Sequence, residues 1–138
     1  MDLRILDLIE EACEISSKSS MKLKHGAILL RNRRDIVYKS YNNFPHHAEA
    51  NVLRKSNKTY HVRKCVDTHP NMILVVARRN SLGHFCNSKP CRNCAENMIR
   101  ANIKYVIYTT GTDEMYRVER PQHIQTSHIS SGQLYTWS

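Results

Sequence analysis

Six consecutive apolar residues, Met72-Ile73-Leu74-Val75-Val76-Ala77, constrain the fold more than any other feature of this chain. Successive side chains of a strand point to opposite faces. A strand that is apolar at every position therefore needs cover on both faces, as a central strand between two helical layers has. The run is far short of the ~18 residues that span a membrane, so no membrane association is expected.

The segments around it supply the layers. Residues 3–17 place Leu3, Leu6, Ile9, Ala12 and Cys13 on one helical stripe, with Asp2, Asp7, Glu10, Glu11 and Glu14 largely elsewhere. Acid in the first turns suits the helix dipole. Residues 26–30 read as a buried strand, 32–35 as a turn and 36–41 as a second strand. A helix is predicted over 47–56, with Ala50 and Leu53 inward, followed by a basic connector over 57–70. After the apolar strand, residues 80–90 form a loop. Residues 91–102 form a helix, with Ala95, Met98, Ile99 and Asn102 at helical spacing. Residues 104–109 make a further strand and 115–119 a short edge strand, while the chain from Pro121 onward is polar. Helices between strands require crossovers. The expectation is an α/β fold, a three-layer α-β-α sandwich on a mixed sheet of about five strands. The first two strands form a hairpin and later ones run parallel.

A length of 138 residues suits a single domain, and no repeat or linker divides it. With 41% hydrophobic and 24% charged residues the composition is that of a globular protein, and wholesale disorder is not expected. The start, Met1-Asp2-Leu3-Arg4, carries acid early and lacks the apolar stretch of a secretory signal. Five cysteines, an odd number, argue against a secreted disulfide scaffold and for a reducing, cytoplasmic location. There, closely spaced cysteines hold metal or do chemistry. The net charge of +9 is a footprint of proteins that meet phosphate, on nucleotides or on single-stranded nucleic acid. Its scatter along the chain is equally that of solvated faces.

Two short segments carry the chemistry: His47-Ala48-Glu49, opening one helix, and Pro90-Cys91-Arg92-Asn93-Cys94, opening the next. Cysteines three apart on a helix share a face. A helix N-terminus favours the thiolate, and proline is tolerated there. Cys91 and Cys94 thus look like zinc ligands, with His47 the candidate third. Two cysteines and one histidine leave a fourth position for water, as catalytic zinc sites do. Glu49 then lies near the metal without binding it, where a general base belongs.

H-x-E followed by P-C-x-x-C is the signature of zinc nucleobase deaminases. The chain resembles the cytidine/deoxycytidylate deaminase superfamily. The likeness extends to Gly26-Ala27-Ile28-Leu29-Leu30, to Ser40-Tyr41-Asn42 and to residues 95–108, and it covers about residues 24–110. The resemblance implies a Zn2+ cofactor held by His47, Cys91 and Cys94, with Glu49 shuttling the proton. It implies that Asn42 contacts sugar or base and that Ala48 offers its backbone N–H to the base. The implied reaction is hydrolytic. Glu49 takes a proton from water and passes it to a ring nitrogen, hydroxide attacks the carbon bearing the amine, and Glu49 then protonates the departing amine, which leaves as ammonia. The implied substrate is a cytosine nucleoside or nucleotide. The alternative is a base in single-stranded DNA or RNA, tRNA adenosine included. Family members usually assemble, so a homo-oligomer is expected. Ser88 and Lys89 stand before Pro90, where bacterial tRNA adenosine deaminases carry Glu next to the proline.

Other readings compete. Cys86 or His84 would close the metal site into a structural zinc. Cys91 and Cys94 as a redox pair would leave His47 and Glu49 unexplained. An iron–sulfur spacing, Cys86-x4-Cys91-x2-Cys94, lacks a fourth cysteine downstream. His25 is either a structural turn residue or part of the pocket, and Phe44 either stacks on a base or packs. Ser88 is a candidate for substrate binding. Arg78 and Arg79 either bind phosphate or are solvated. Tyr135 and Trp137 either dock the tail or stack on nucleic acid.

Overall fold

The structure is a computed structural model that describes residues 2–32, 35–43, 47–53 and 72–124. Phe44, the 57–70 connector, Tyr135 and Trp137 lie outside the described residues. Five strands form one sheet: β1 (Gly26–Arg31), β2 (Asp35–Tyr41), β3 (Met72–Ala77), β4 (Tyr105–Thr109) and β5 (Tyr116–Glu119), in the order β2-β1-β3-β4-β5. The apolar run is the central strand, and all six of its residues are buried. β1 runs antiparallel to both β2 and β3, β3 and β4 are parallel, and β5 is an antiparallel edge. Helix α3 (Arg92–Arg100) lies in the crossover that the parallel pair requires.

Strand alternation sorts the core into two faces. Ile28, Leu30, Ile73, Val75, Ala77 and Ile107 pack on one side against Ile5, Leu8, Ile9, Ala12 and Cys13 of α1 (Asp2–Ser16). Ala27, Leu29, Leu74, Val76, Val106 and Tyr108 pack on the other. There they meet Ala48, Val52 and Leu53 of α2, helical at residues 48–53, and Cys94 and Met98 of α3. Each buried aliphatic side chain contributes about 1.5–3 kcal/mol. No helix among the described residues is long and apolar enough to cross a membrane.

Two helix faces differ from the periodicity reading. α1 buries Ile5, Leu8, Ile9, Ala12 and Cys13, while Leu6 is half-buried. The buried set keeps the i, i+3, i+4 rhythm from Ile5, which the sheet selects over the neighbouring stripe. α3 ends at Arg100, and Ile99 is exposed. Asn102 adopts a left-handed φ of 60° just past the cap. Its N–H donates to Ile99 O at 3.1 Å, and Ile103 N–H donates to Met98 O at 3.0 Å. This is a Schellman stop, with Ile103 and Met98 sharing the core cluster.

Gly26 marks a close approach of α1 to the sheet. A Cβ there would lie 1.9 Å from the Ala12 carbonyl oxygen, and backbone cannot yield as a side chain can. Gly26→Ala is therefore expected to lose ~2 kcal/mol or more of stability, as an overpacked core does. Urea denaturation checks it; a midpoint within error of wild type would refute the close approach.

Candidate metal centre

Helices α2 and α3 lie on the same face of the sheet and begin with the ligand candidates. Asn51 N–H donates to His47 O at 2.9 Å, and Ala95 N–H donates to Cys91 O at 2.9 Å. His47 and Cys91 are thus cap residues, whose carbonyls accept the first intrahelical bonds. Cys91 has the extended backbone of a cap, φ −75° and ψ 171°, so α3 starts one residue later than the motif suggests. Pro90 sits just before the cap, where its lack of an N–H costs no helical bond.

These starts bring the three side chains together. His47 Nδ1 lies 3.1 Å from Cys94 Sγ and 3.6 Å from Cys91 Sγ. The ligand atoms of all three fall within 4.8 Å of one another. Donors on a tetrahedral zinc stand roughly 3.5–3.8 Å apart, given metal–ligand bonds of about 2.1–2.3 Å. Among the described residues the group holds these three; neither Cys86 nor His84 belongs to it. The Cys86 thiol instead faces His84 O, at 3.6 Å.

The electrostatics also suit a cation. Cys91 is held down to about 4, first by the hydrogen bond from the Cys94 thiol, against burial and with help from His47. Cys94 is pushed well up, because that bond needs its proton and because it is buried. Burial opposes charge on His47, but the Cys91 sulfur and the Glu49 carboxylate prevail, and its pKa rises. Glu49 is 4% exposed, and burial raises its carboxyl, partly offset by His47. Two thiols, an imidazole and a buried carboxyl thus compete for protons in a largely buried site. A soft-ligand dication relieves that competition, and the sulfur–nitrogen donor set fits zinc.

The remaining candidates surround this group. Asn42 is buried; its Nδ2 donates to Leu23 O at 2.7 Å and its Oδ1 accepts from His25 N–H at 2.9 Å. Its carboxamide braces the segment after α1 against the end of β2. His25 is partly buried, with its pKa lowered to about 4 by burial and then by the charge of Arg78. Ala48 is fully buried in the first turn of α2, whose N–H groups the helix ladder leaves over. The Ser88 hydroxyl lies 2.9 Å from Val76 O and 2.8 Å from Thr109 Oγ1, inside the protein.

Two supporting residues escaped the sequence reading. Thr109 Oγ1 donates to Cys86 O at 2.6 Å, and its N–H donates to Ser88 Oγ at 2.9 Å. Asn51 Nδ2 donates to Tyr41 O at 2.8 Å and to Asn43 Oδ1 at 2.9 Å. A polar residue among the apolar neighbours of α2 was a signal for Asn51. Thr109 gave none, because its partners are 21 and 23 residues away.

Residues 3–110 match the family described as the cytidine and deoxycytidylate deaminase zinc-binding region. This chain belongs to that family. The match starts at residue 3, so the family unit includes α1, which the motifs alone did not reach. The fold is similar to the crystal structure of dCMP deaminase from the cyanophage S-TIM5 in apo form. The TM-score is 0.62 at 23% identity, over 82% of this chain and 87% of that one. No curated protein matches the sequence. Family membership and the His/Cys/Cys group together give a zinc-binding deaminase-family protein.

Cys91→Ala is expected to purify with zinc near zero, against about one ion per wild-type chain. Elemental analysis checks this, and unchanged zinc would refute the ligand set. Chelation of the wild type should lower its Tm, since an ion bound to the folded state stabilises it by mass action.

Proposed function

We propose that the protein is a zinc-dependent hydrolytic deaminase of a cytosine nucleoside or nucleotide. The observation that carries this reading is Glu49, buried beside a three-donor group that has no fourth donor among the described residues. Zinc held there supplies a water made acidic enough to ionise near neutral pH.

The chain's own groups do the rest. Glu49 accepts the proton of the water at its carboxylate oxygen. Burial raises the proton affinity of this carboxyl, partly offset by His47. Glu49 delivers that proton to the ring nitrogen of the base, takes a second from the hydroxyl that has added to the ring carbon, and gives it to the amine, which leaves as ammonia when the C–N bond breaks. The Ala48 N–H, at the positive end of α2, donates to the carbonyl of the base in this reading. Asn42, with both ends of its carboxamide on backbone, holds the segment at Leu23 and His25 against the end of β2. Ser88 holds the loop that leads to Cys91. The family supports deaminase chemistry. The S-TIM5 protein, named a dCMP deaminase, supports a pyrimidine nucleotide as substrate.

Glu49→Ala is expected to retain zinc and fold while losing about 100- to 10,000-fold in kcat, the range of a lost general acid–base. Ammonia release from cytidine, deoxycytidine and their monophosphates measures it. A wild-type rate in the variant would end the proton-shuttle assignment.

The net charge of +9 favours a second reading, a base within single-stranded nucleic acid. Binding should then weaken steeply with salt, because neutralised phosphates release counterions. Gel-shift titration between 50 and 200 mM salt, where several phosphate contacts cost about 1,000-fold or more, checks it. A flat response would remove this reading.

A further inference from the structure

The two arginines after β3 go to opposite sides of the sheet. Ala77 faces α1, so alternation sends Arg79 to that side too, where Arg79 Nη1 meets Glu10 Oε1 at 3.0 Å. Val76 faces α2 and α3, and Arg78 follows it. Arg78 Nη1 reaches Asn87 O at 3.5 Å, on the loop that runs into Cys91. That is a long hydrogen bond, and Arg78 has no acidic partner among the described residues.

The register places Arg78 in a row of polar groups. Gly26 pairs with Ala77 on one side and with Tyr41 on the other. One step on, His25 stands opposite both Arg78 and Asn42, and Asn42 N–H donates to His25 O at 3.2 Å. Ala27, the next residue of that parity in β1, faces α2 and α3, so His25 belongs to the same side. Asn42, His25 and Arg78 therefore lie along the sheet end over which the metal-binding helices start. Electrostatics agree, because Arg78, His47 and Cys91 all act on His25. In open α/β sheets this carboxyl end of the strands is where ligands sit.

We propose that Arg78 is a specificity-determining residue that receives the phosphate ester of the substrate. The inference rests on the deaminase reading of the same site. A guanidinium offers a planar fork of donors that matches phosphate and keeps its charge at any working pH. His25, neutral beside it, adds no second charge, and its ring is already hydrogen-bonded to the Leu23 backbone. Arg79 cannot substitute, because it is committed to Glu10 on the far face. The phosphate belongs either to a free nucleotide or to the backbone of a single strand; the chemistry that Arg78 reads is the same.

The test compares cytidine, cytidine 5′-monophosphate and a short cytosine-containing oligonucleotide in wild type, Arg78→Ala, Arg78→Lys and Arg4→Ala. Arg4, on α1 in the opposite layer, removes the same charge elsewhere. Arg78→Ala should lose kcat/KM on the phosphorylated substrate by about 10- to 100-fold more than on cytidine, the scale of a charged hydrogen bond. The loss should fall mainly in KM, Arg78→Lys should restore part of it, and Arg4→Ala should leave the ratio unchanged. Loss confined to the mononucleotide or to the oligonucleotide identifies the source of the phosphate. Equal losses with and without phosphate, or the same ratio change in Arg4→Ala, would overturn the assignment. Should the zinc-loaded wild type release ammonia from none of the three, the deaminase reading fails instead. Arg78 is then judged by calorimetric titration with inorganic phosphate: binding lost in Arg78→Ala upholds it, and no binding, or equal binding, overturns it.

Discussion

Two helices that start at the same end of one sheet face bring His47 Nδ1 to within 3.1 Å of Cys94 Sγ, and the rest of the site depends on that meeting. Neither helix could set it alone. Cys91 follows His47 by 44 positions, and the chain has to return to the same place. What fixes the return is β3. Buried on both faces and central in the sheet, it leaves α2 and α3 only the layer opposite α1. The parallel β3–β4 pair then sets the direction of α3, with its start at the carboxyl end of β3.

Buried hydrogen bonds hold the loops that feed these starts. Ser88 and Thr109 tie the approach to Cys91 onto the ends of β3 and β4. Asn42 ties the end of β2 to the segment after α1, and Asn51 ties α2 to the end of β2. All four side chains are buried, so each has to be satisfied inside the protein. A loop held this way keeps ligand positions within the narrow tolerance that metal geometry allows.

The same burial makes the chemistry available. Glu49 is costly to ionise where it lies, and the two thiols beside it shift in opposite directions, Cys91 down and Cys94 up, because one proton is shared between them. Desolvation thus does two things at once. It favours a dication among the soft donors, and it raises the proton affinity of the one carboxyl next to them.

Much of this was written in the order of residues. The all-apolar Met72–Ala77 segment required two covering layers, and His-x-Glu with Cys-x-x-Cys named the donor set, because local spacing on helices and strands is short-range geometry. Other features depended on distant parts of the chain. Which stripe of α1 faces inward was chosen by the sheet, which took Ile5 and Leu8 and left Leu6 half-buried. Arg78 and Arg79 are identical neighbours in sequence, and only the register of β3 sends one to Glu10 and the other toward the zinc-binding side. Thr109 looked like any strand residue until folding set it against Ser88. Sequence by itself determined which groups the protein owns and their local faces; tertiary structure decided which of them meet, because contacts across tens of residues follow from packing rather than from spacing.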